Sequence, residues 1–398
     1  CVGATFALKT LCEITQKDAS TIAKQLWEAI QKQLIIPIGE NYRLVEIAEA
    51  QEGGKGAHLD VSYRFIHDRV QQSAYELLEE AERQQTHATI GQHLLDLYGK
   101  EADDEHLFPI VNQLNLGRTL LKESADKQAV ARLNLRAGLK AMKSSAYSPA
   151  QKYFTAGVEL FPSASWESEH DLGFQLLRSK ADAAMMCGDF DTTKETIDVA
   201  LSHAQSKAEQ VAICELQLRL YPLLSDYAKS GEVGLQCLTL FGFEIPEDMD
   251  GWAAAAGQEA TALADALGDR SIDSLLDLPA MEDEDTILQM NVLTGLAPIA
   301  SVTPHLFPVL ITRMVRLSVQ HGNYINSPVG YVFYGFLNCA MGNYKIADDY
   351  GRLAIALNDK QGVAAVRPPL AGQGTAVHSG GPFRSFGRSH RGKQRGRV

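Results

Sequence analysis

The sequence predicts a mainly α-helical chain in which a small N-terminal α/β module, residues 1–80, leads into a stack of helix pairs, residues 81–360. Three observations carry that class. Runs rich in Ile, Val and Tyr with strand character occur only in the first 80 residues. From Glu79 to about Lys360 apolar residues recur at helical spacing instead. Within that stretch, four segments align with one another on an aromatic residue.

In chain order, "ATFALKTLCEIT" has Phe6, Leu8, Leu11 and Ile14 at helical spacing, and a second helix follows in "DASTIAKQLWEAIQKQ". Asp18 or Ser20 is its candidate N-cap, with Ile22, Leu26, Trp27 and Ile30 behind it. "LIIPIGENYRLVEI" and "HLDVSYRFI" then read as strands joined by the Gly-rich "AEAQEGGKGA", a hairpin tip. Helix, helix, strand, long loop, strand, helix is the order of a winged-helix module.

The four aligned segments are "AYSPAQKYFTAGVELFP", "DFDTTKETIDVALSHA", "DYAKSGEVGLQCLTLF" and "NYKIADDYGRLAIAL", with anchors Tyr147, Phe190, Tyr227 and Tyr344. Small residues recur three positions later (Ala150, Thr193, Ser230, Ala347) and ten positions later (Gly157, Ala200, Cys237, Ala354). Small side chains at that spacing let two helices approach closely, with Phe154 and Ile197 filling the grooves. Gly188 and Gly342, two residues before their anchors, suit a tight turn between helices. The pattern resembles the tetratricopeptide repeat, which implies a right-handed α-solenoid. Residues from "FGFEIPEDMDGW" to about Leu278 are less regular and are expected to hold an insertion.

Residues 361–398 change character, with eight Gly, three Pro and no helical stripe. A disordered basic tail is expected there, either native or the product of a frameshift. It holds six Arg and one Lys without an acid, so the remainder has 30 basic and 49 acidic residues, net −19. Such a body repels a phosphate backbone, and the winged helix lacks a basic footprint, so no nucleic-acid partner is expected. Six scattered cysteines without a C-x-x-C pair fit neither a disulfide framework nor a zinc site and point to a reducing, cytoplasmic setting. Between Thr286 and Thr312 no residue is charged. Its three prolines and its polar residues argue for two helices and a turn rather than a membrane span.

Signatures of catalysis are absent. There is no phosphate loop, since "GGKGAH" lacks the spacing and the Ser or Thr for Mg²⁺, and no G-x-G-x-x-G, H-E-x-x-H or G-x-S-x-G. His87 and His93, six apart, point to different sides of a helix and do not share a metal easily. No catalytic residue, metal ligand or resident cofactor is expected in this chain.

One ionisable cluster stands out, His67, Asp68 and Arg69 in "FIHDRVQQSAY", where a strand gives way to a helix. The plain reading is that His67 and Asp68 cap the helix running through Val70, Ala74, Leu77 and Leu78, the Asp68 carboxylate accepting a backbone N–H. A phosphoacceptor reading of His67 fails because the residues following it, Arg69, Val70 and Gln71, lack the continuation seen in sensor kinases. Together with "LWEAIQKQLIIPI", "LFPIVNQLNLG", "LNLRAGLKAMKSSAY" and "LFPVLITRMVRLSVQHGN", the stretch "YRFIHDRVQQSAY" resembles the segment following the nucleotide-binding core in STAND-type (AAA-like) ATPases. The likeness is strongest to large bacterial, cyanobacterial-like proteins that join a serine/threonine kinase, a predicted ATPase, helical repeats, a GAF domain and a sensor histidine kinase. That resemblance implies that His67 senses the β-phosphate of bound ADP, with Asp68 orienting it and Arg69 assisting. ATP, ADP and Mg²⁺ would then belong to the intact parent protein. The expected function is a non-catalytic regulatory segment that couples nucleotide state to a kinase output in a two-component setting. Its partners would be other parent domains and a protein or small ligand on the solenoid surface. The alternative is the inducer-sensing helical arm of an ATP-dependent transcription activator.

Overall fold

The computed structural model describes residues 1, 3–39, 61–99, 106–300 and 303–364, which are mainly helical with one small sheet. The chain divides into two compact units, residues 1–255 with 284–310 and residues 256–283 with 311 onward. This cut differs from the expected division at residue 80.

The first unit begins with β1 (Thr5–Ala7), α1 (Leu8–Thr15), α2 (Ala19–Gln31), β2 (Ile35–Ile38) and β3 (Ser62–Phe65). Both other strands pair antiparallel with β3, giving the order β1-β3-β2. Phe6, expected on a helix, lies on β1 opposite Tyr63 with the rings stacked at 5.9 Å. Cross-strand aromatic packing outweighs the helical spacing there, and the helix starts at Leu8, whose N–H donates to the Val61 carbonyl at 2.8 Å. Asp18 caps α2 as expected, accepting from the Thr21 N–H at 2.8 Å. Phe6, Leu8, Ile22, Ile35, Val61 and Tyr63 form the core of this module. The expected hairpin tip falls outside the described residues.

Helices follow without interruption by strands: α3 (Asp68–Glu76), α4 (Glu80–Tyr98), α5 (Leu107–Leu116), α6 (Ser124–Lys143), α7 (Tyr147–Leu160), α8 (His170–Met186), α9 (Phe190–His203), α10 (Lys207–Leu223) and α11 (Tyr227–Leu238). From α4 to α11 each packs on the next, and α6 also packs on α8, and α8 on α10. After α12 (Met249–Leu267) comes α13 (Glu284–Ala300), and it is α13 that packs on α10 and α11. Much of the region expected to be irregular is thus the Ala-rich helix α12, which intervenes in sequence between α11 and α13.

Polar contacts repeat with the same period. Gln128 reaches Ser165, Arg132 reaches Glu169, and Arg219 reaches Asp182, each pair 37 residues apart; Gln151 reaches Asp189 across 38, and His170 reaches Glu209 across 39. Lys207 reaches Asp285 across 78, the additional length matching the intervening α12 region.

Each anchor is the first residue of a helix: Tyr147 of α7, Phe190 of α9, Tyr227 of α11 and Tyr344 of α16 (Tyr344–Ala364). Tyr227 and Tyr344 are largely exposed and mark helix starts rather than core, whereas Phe190 packs partly buried against the core. The core positions are the small residues after them, since Ala150, Thr193 and Ser230 are fully buried, as is Phe154. A Cβ added to Gly138 on α6 would lie 2.3 Å from the Phe154 ring, so the missing side chain is what lets α7 close on α6.

The turn before each anchor is the same. Ser145, Gly188, Ser225 and Gly342 all take positive φ, between 57° and 83°. The following N–H, of Ala146, Asp189, Asp226 and Asn343, donates to the carbonyl five residues back, of Ala141, Ala184, Tyr221 and Asn338. This is the left-handed helix stop, and it leads directly into the next N-cap. Asp189 and Asp226 then use their carboxylates to accept from the Thr192 and Lys229 N–H groups.

The second unit is built on Leu263 of α12, Leu275 of a short 3₁₀ turn, Val315 and Val319 of α14 (Leu306–His321), Tyr331 of α15 (Ser327–Ala340) and Tyr350 of α16. Asn323 organises it, donating to the Leu275 carbonyl at 2.7 Å and accepting from the Tyr331 hydroxyl at 2.8 Å. Glu259 is held by Arg313 at 3.0 Å and Arg316 at 2.7 Å. Helix α16 runs to Ala364, four residues into the stretch expected as tail; residues 365–398 lie outside the described residues. Of the uncharged run, Thr286–Ala300 lies on α13 and Leu306–Thr312 on α14, and among the described residues no helix is long and apolar enough to cross a membrane.

Candidate functional site

The His-Asp-Arg corner hangs on the central strand. β3 ends at Phe65, and the Ile66 N–H donates to the Leu34 carbonyl at 3.1 Å, fixing the exit of the chain. His67 then takes extended backbone angles (φ −144°, ψ 146°) and is itself the N-cap residue of α3. Its carbonyl accepts from the Val70 N–H at 3.0 Å and the Gln71 N–H at 3.3 Å, closing the first turn. The expected capping by Asp68 does not occur. Asp68 is the first helical residue, one position too late for an N-cap carboxylate, and no side chain caps α3. Its charge still lies at the favourable end of the helix dipole.

His67, Asp68 and Arg69 are all exposed. Asp68 lines a shallow groove of about 440 Å³ together with Gln71, Gln72, Tyr75, His87, Leu116 and the start of the chain at Cys1; His67 and Arg69 are not part of its wall. The groove wall carries a carboxylate and two amides but no Lys or Arg. Phosphate recognition by side chains calls for cations, and this wall includes no Lys or Arg among its lining residues. Among the described residues no group of three or more His, Cys, Asp or Glu side chains is placed to hold a metal ion.

Behind the groove lies a hydrogen-bonded chain that sequence reasoning missed. The Tyr75 hydroxyl is 3.1 Å from His87 Nε2, and His87 Nδ1 is 2.6 Å from Gln113 Oε1. Gln113 in turn donates its amide N–H to the Cys1 carbonyl at 3.0 Å. That last bond fixes the amide orientation, so Oε1 faces the imidazole and Nδ1 must carry the proton. In the neutral ring Nε2 is then the acceptor of the Tyr75 hydroxyl. Arg83 lies over the Tyr75 ring, 5.2 Å from its centroid. His87 is buried, and the chain ties α3, α4 and α5 together beneath the corner. His93, on another face of α4, bonds Glu13 of α1 at 3.0 Å, so the two histidines separate as their six-residue spacing predicts. The signal for the His87 chain, two polar residues on different helices, has no local spacing that would reveal it.

The described residues therefore make up a mainly helical protein with a small sheet module and a recurring helical hairpin, and the corner at His67, Asp68 and Arg69 is exposed. No family model matches the chain. It is similar to hybrid signal transduction histidine kinase G of Dictyostelium discoideum, 24% identical over 202 residues. The match covers 45% of this chain and 6% of that protein, so it concerns a small part of a much longer polypeptide.

Proposed function

We propose that this chain is a non-catalytic regulatory and interaction segment of a larger signalling protein, in which a winged-helix module passes its position to a tetratricopeptide-like, right-handed stack. The observation that carries the reading is the turn repeated at Ser145, Gly188, Ser225 and Gly342, with polar contacts recurring at 37–39 residues. A stack in which each hairpin touches chiefly its neighbours transmits shape along its length and offers a continuous surface to a partner. The partial similarity to a signal transduction histidine kinase supports a signalling setting.

In this reading the nucleotide, ATP or ADP with Mg²⁺, belongs to a STAND-type core elsewhere in the parent protein. His67, exposed at the end of the central strand, senses its phosphate, with Asp68 and Arg69 beside it. The protein works in the cytoplasm and couples nucleotide state to a histidine or serine/threonine kinase output. Titration calorimetry with Mg²⁺-ADP on this chain should give no binding heat, because in this reading the nucleotide-binding core lies elsewhere in the parent protein. In the parent protein, His67→Ala should uncouple kinase output from the ADP/ATP ratio. Tight ADP binding by the chain alone, or unchanged nucleotide dependence in the His67→Ala parent, overturns the reading.

A further inference from the structure

Outside the corner, the hairpin of α15 and α16 leaves apolar side chains in water at positions that the other hairpins cover. Counted back from the left-handed turn residue, the sixth and tenth positions are Leu139 and Leu135 on α6, Asp182 and Arg178 on α8, and Arg219 and Glu215 on α10. None of those side chains is exposed. On α15 the same two positions are Phe336 and Val332, 62% and 52% exposed, and Cys339 one turn further on is exposed as well.

The first unit shows what does the covering. There the first helix of one hairpin packs on the first helix of the next, α6 on α8 and α8 on α10. Asp182 and Arg219, equivalent positions of two such helices, form an ion pair across that contact. The α15 stripe is suited to a contact of the same kind. Val329, Val332, Phe336 and Cys339 follow at intervals of three, four and three residues, the spacing of a seam between packed helices.

We propose that the seam of α15 is covered by the α15 of a second copy of this chain, the two helices packing across a two-fold axis. Two observations select a copy of the chain as the occupant. The cover used elsewhere in the molecule is the first helix of another hairpin, and a second copy brings such a helix with its own seam equally exposed. Charge points the same way. A two-fold axis sets one surface against itself, so a charged seam would bring like charges together, which costs affinity. Helix α15 contains no Asp, Glu, Lys or Arg, and so it meets itself without that penalty. At Asp182 and Arg219, by contrast, two different helices meet and their charges are matched. Phe336, in the middle of the seam, is the kind of large aromatic that interface cores favour. This contact requires no nucleotide, and it stands or falls separately from the role given to His67.

Sedimentation velocity of the whole chain under reducing conditions, over a concentration series, tests the proposal. The expected result is a species of twice the 43.5 kDa chain mass that gives way to single chains on dilution. Val332→Glu, at an exposed position, should sediment as single chains with an unchanged far-ultraviolet circular dichroism spectrum. Cys339 supplies a readout that needs no variant. Once the reductant is removed, its alkylation by iodoacetamide should slow as the chain concentration rises, measured against the exposed Cys187 as internal control. Single chains throughout the native series overturn the proposal, whether the seam then takes a helix of a different protein or stays in water. So does a dimer that survives Val332→Glu, or one in which Cys339 reacts as fast as in single chains.

Discussion

His87 Nδ1 lies 2.6 Å from Gln113 Oε1, and through that contact one buried imidazole joins three helices beneath the exposed corner. Because the Gln113 amide is oriented by the Cys1 carbonyl, the imidazole is held as the Nδ1–H tautomer. Nitrogen chemical shifts of His87 should report that tautomer. Replacing Gln113 by Leu leaves a buried ring N–H without an acceptor and should cost about 1–3 kcal/mol in urea unfolding. Tyr75→Phe, which removes one neutral hydrogen bond, should cost about 1 kcal/mol.

The four turns differ in what they ask of the side chain. Gly188 and Gly342 adopt left-handed angles freely, whereas Ser145 and Ser225 hold φ of 57° and 59° with a Cβ attached. A left-handed residue other than glycine carries a steric cost of about 1–2 kcal/mol. Ser145→Gly and Ser225→Gly should therefore raise the thermal midpoint, and Gly188→Ala should lower it. Calorimetry on the three variants decides the sign.

Gly138 should tolerate no side chain. A methyl group at this position would meet the Phe154 ring at 2.3 Å, and Phe154 is fully buried with no room to retreat. Overpacking of this kind costs about 1–3 kcal/mol, so Gly138→Ala should shift the denaturant midpoint downward. Pairing it with Phe154→Leu should recover part of that loss, giving a non-additive cycle.

Glu209 should make stability depend on pH. Burial raises its carboxyl pKa, but the Gln205 and Ser206 N–H groups and His170 together outweigh that and hold it below the ordinary value. A carboxyl depressed in the folded state stabilises fully above its unfolded pKa and loses that contribution as pH falls through the folded one. Stability should thus decline on acidification below the normal glutamate range. Glu209→Gln should be less stable near neutrality and show a shallower decline across the same range, measured as urea midpoints against pH.

Glu259 in the second unit bridges Arg313 and Arg316, and all three side chains are mostly buried. Burial lowers the Arg313 pKa, with Glu259 opposing that trend. Removing one member of a buried ionic group leaves uncompensated charge and costs about 3–5 kcal/mol. Glu259→Ala should accordingly unfold the second unit at markedly lower denaturant, followed by the fluorescence of its tyrosines.

Much of this was legible in the residues. Tyr147, Phe190, Tyr227 and Tyr344 mark helix starts, and the small residues three and ten positions on, with Gly188 and Gly342, announce hairpins. The Ser145 and Ser225 turns were not legible, because serine carries no preference for left-handed angles and adopts them only where the helix stop demands it. Phe6 misled for a related reason: its spacing suits a helix, and only the presence of Tyr63 across the sheet makes it a strand residue.

The sequence by itself determined the helical class, the period of the hairpins and the location of the exposed corner, since local spacing and turn chemistry act over a few residues. Tertiary structure alone decided that His87 answers to Gln113 and Tyr75. Those pairings join residues on separate helices, and a contact between helices depends on how their axes pack, which no spacing along one chain encodes.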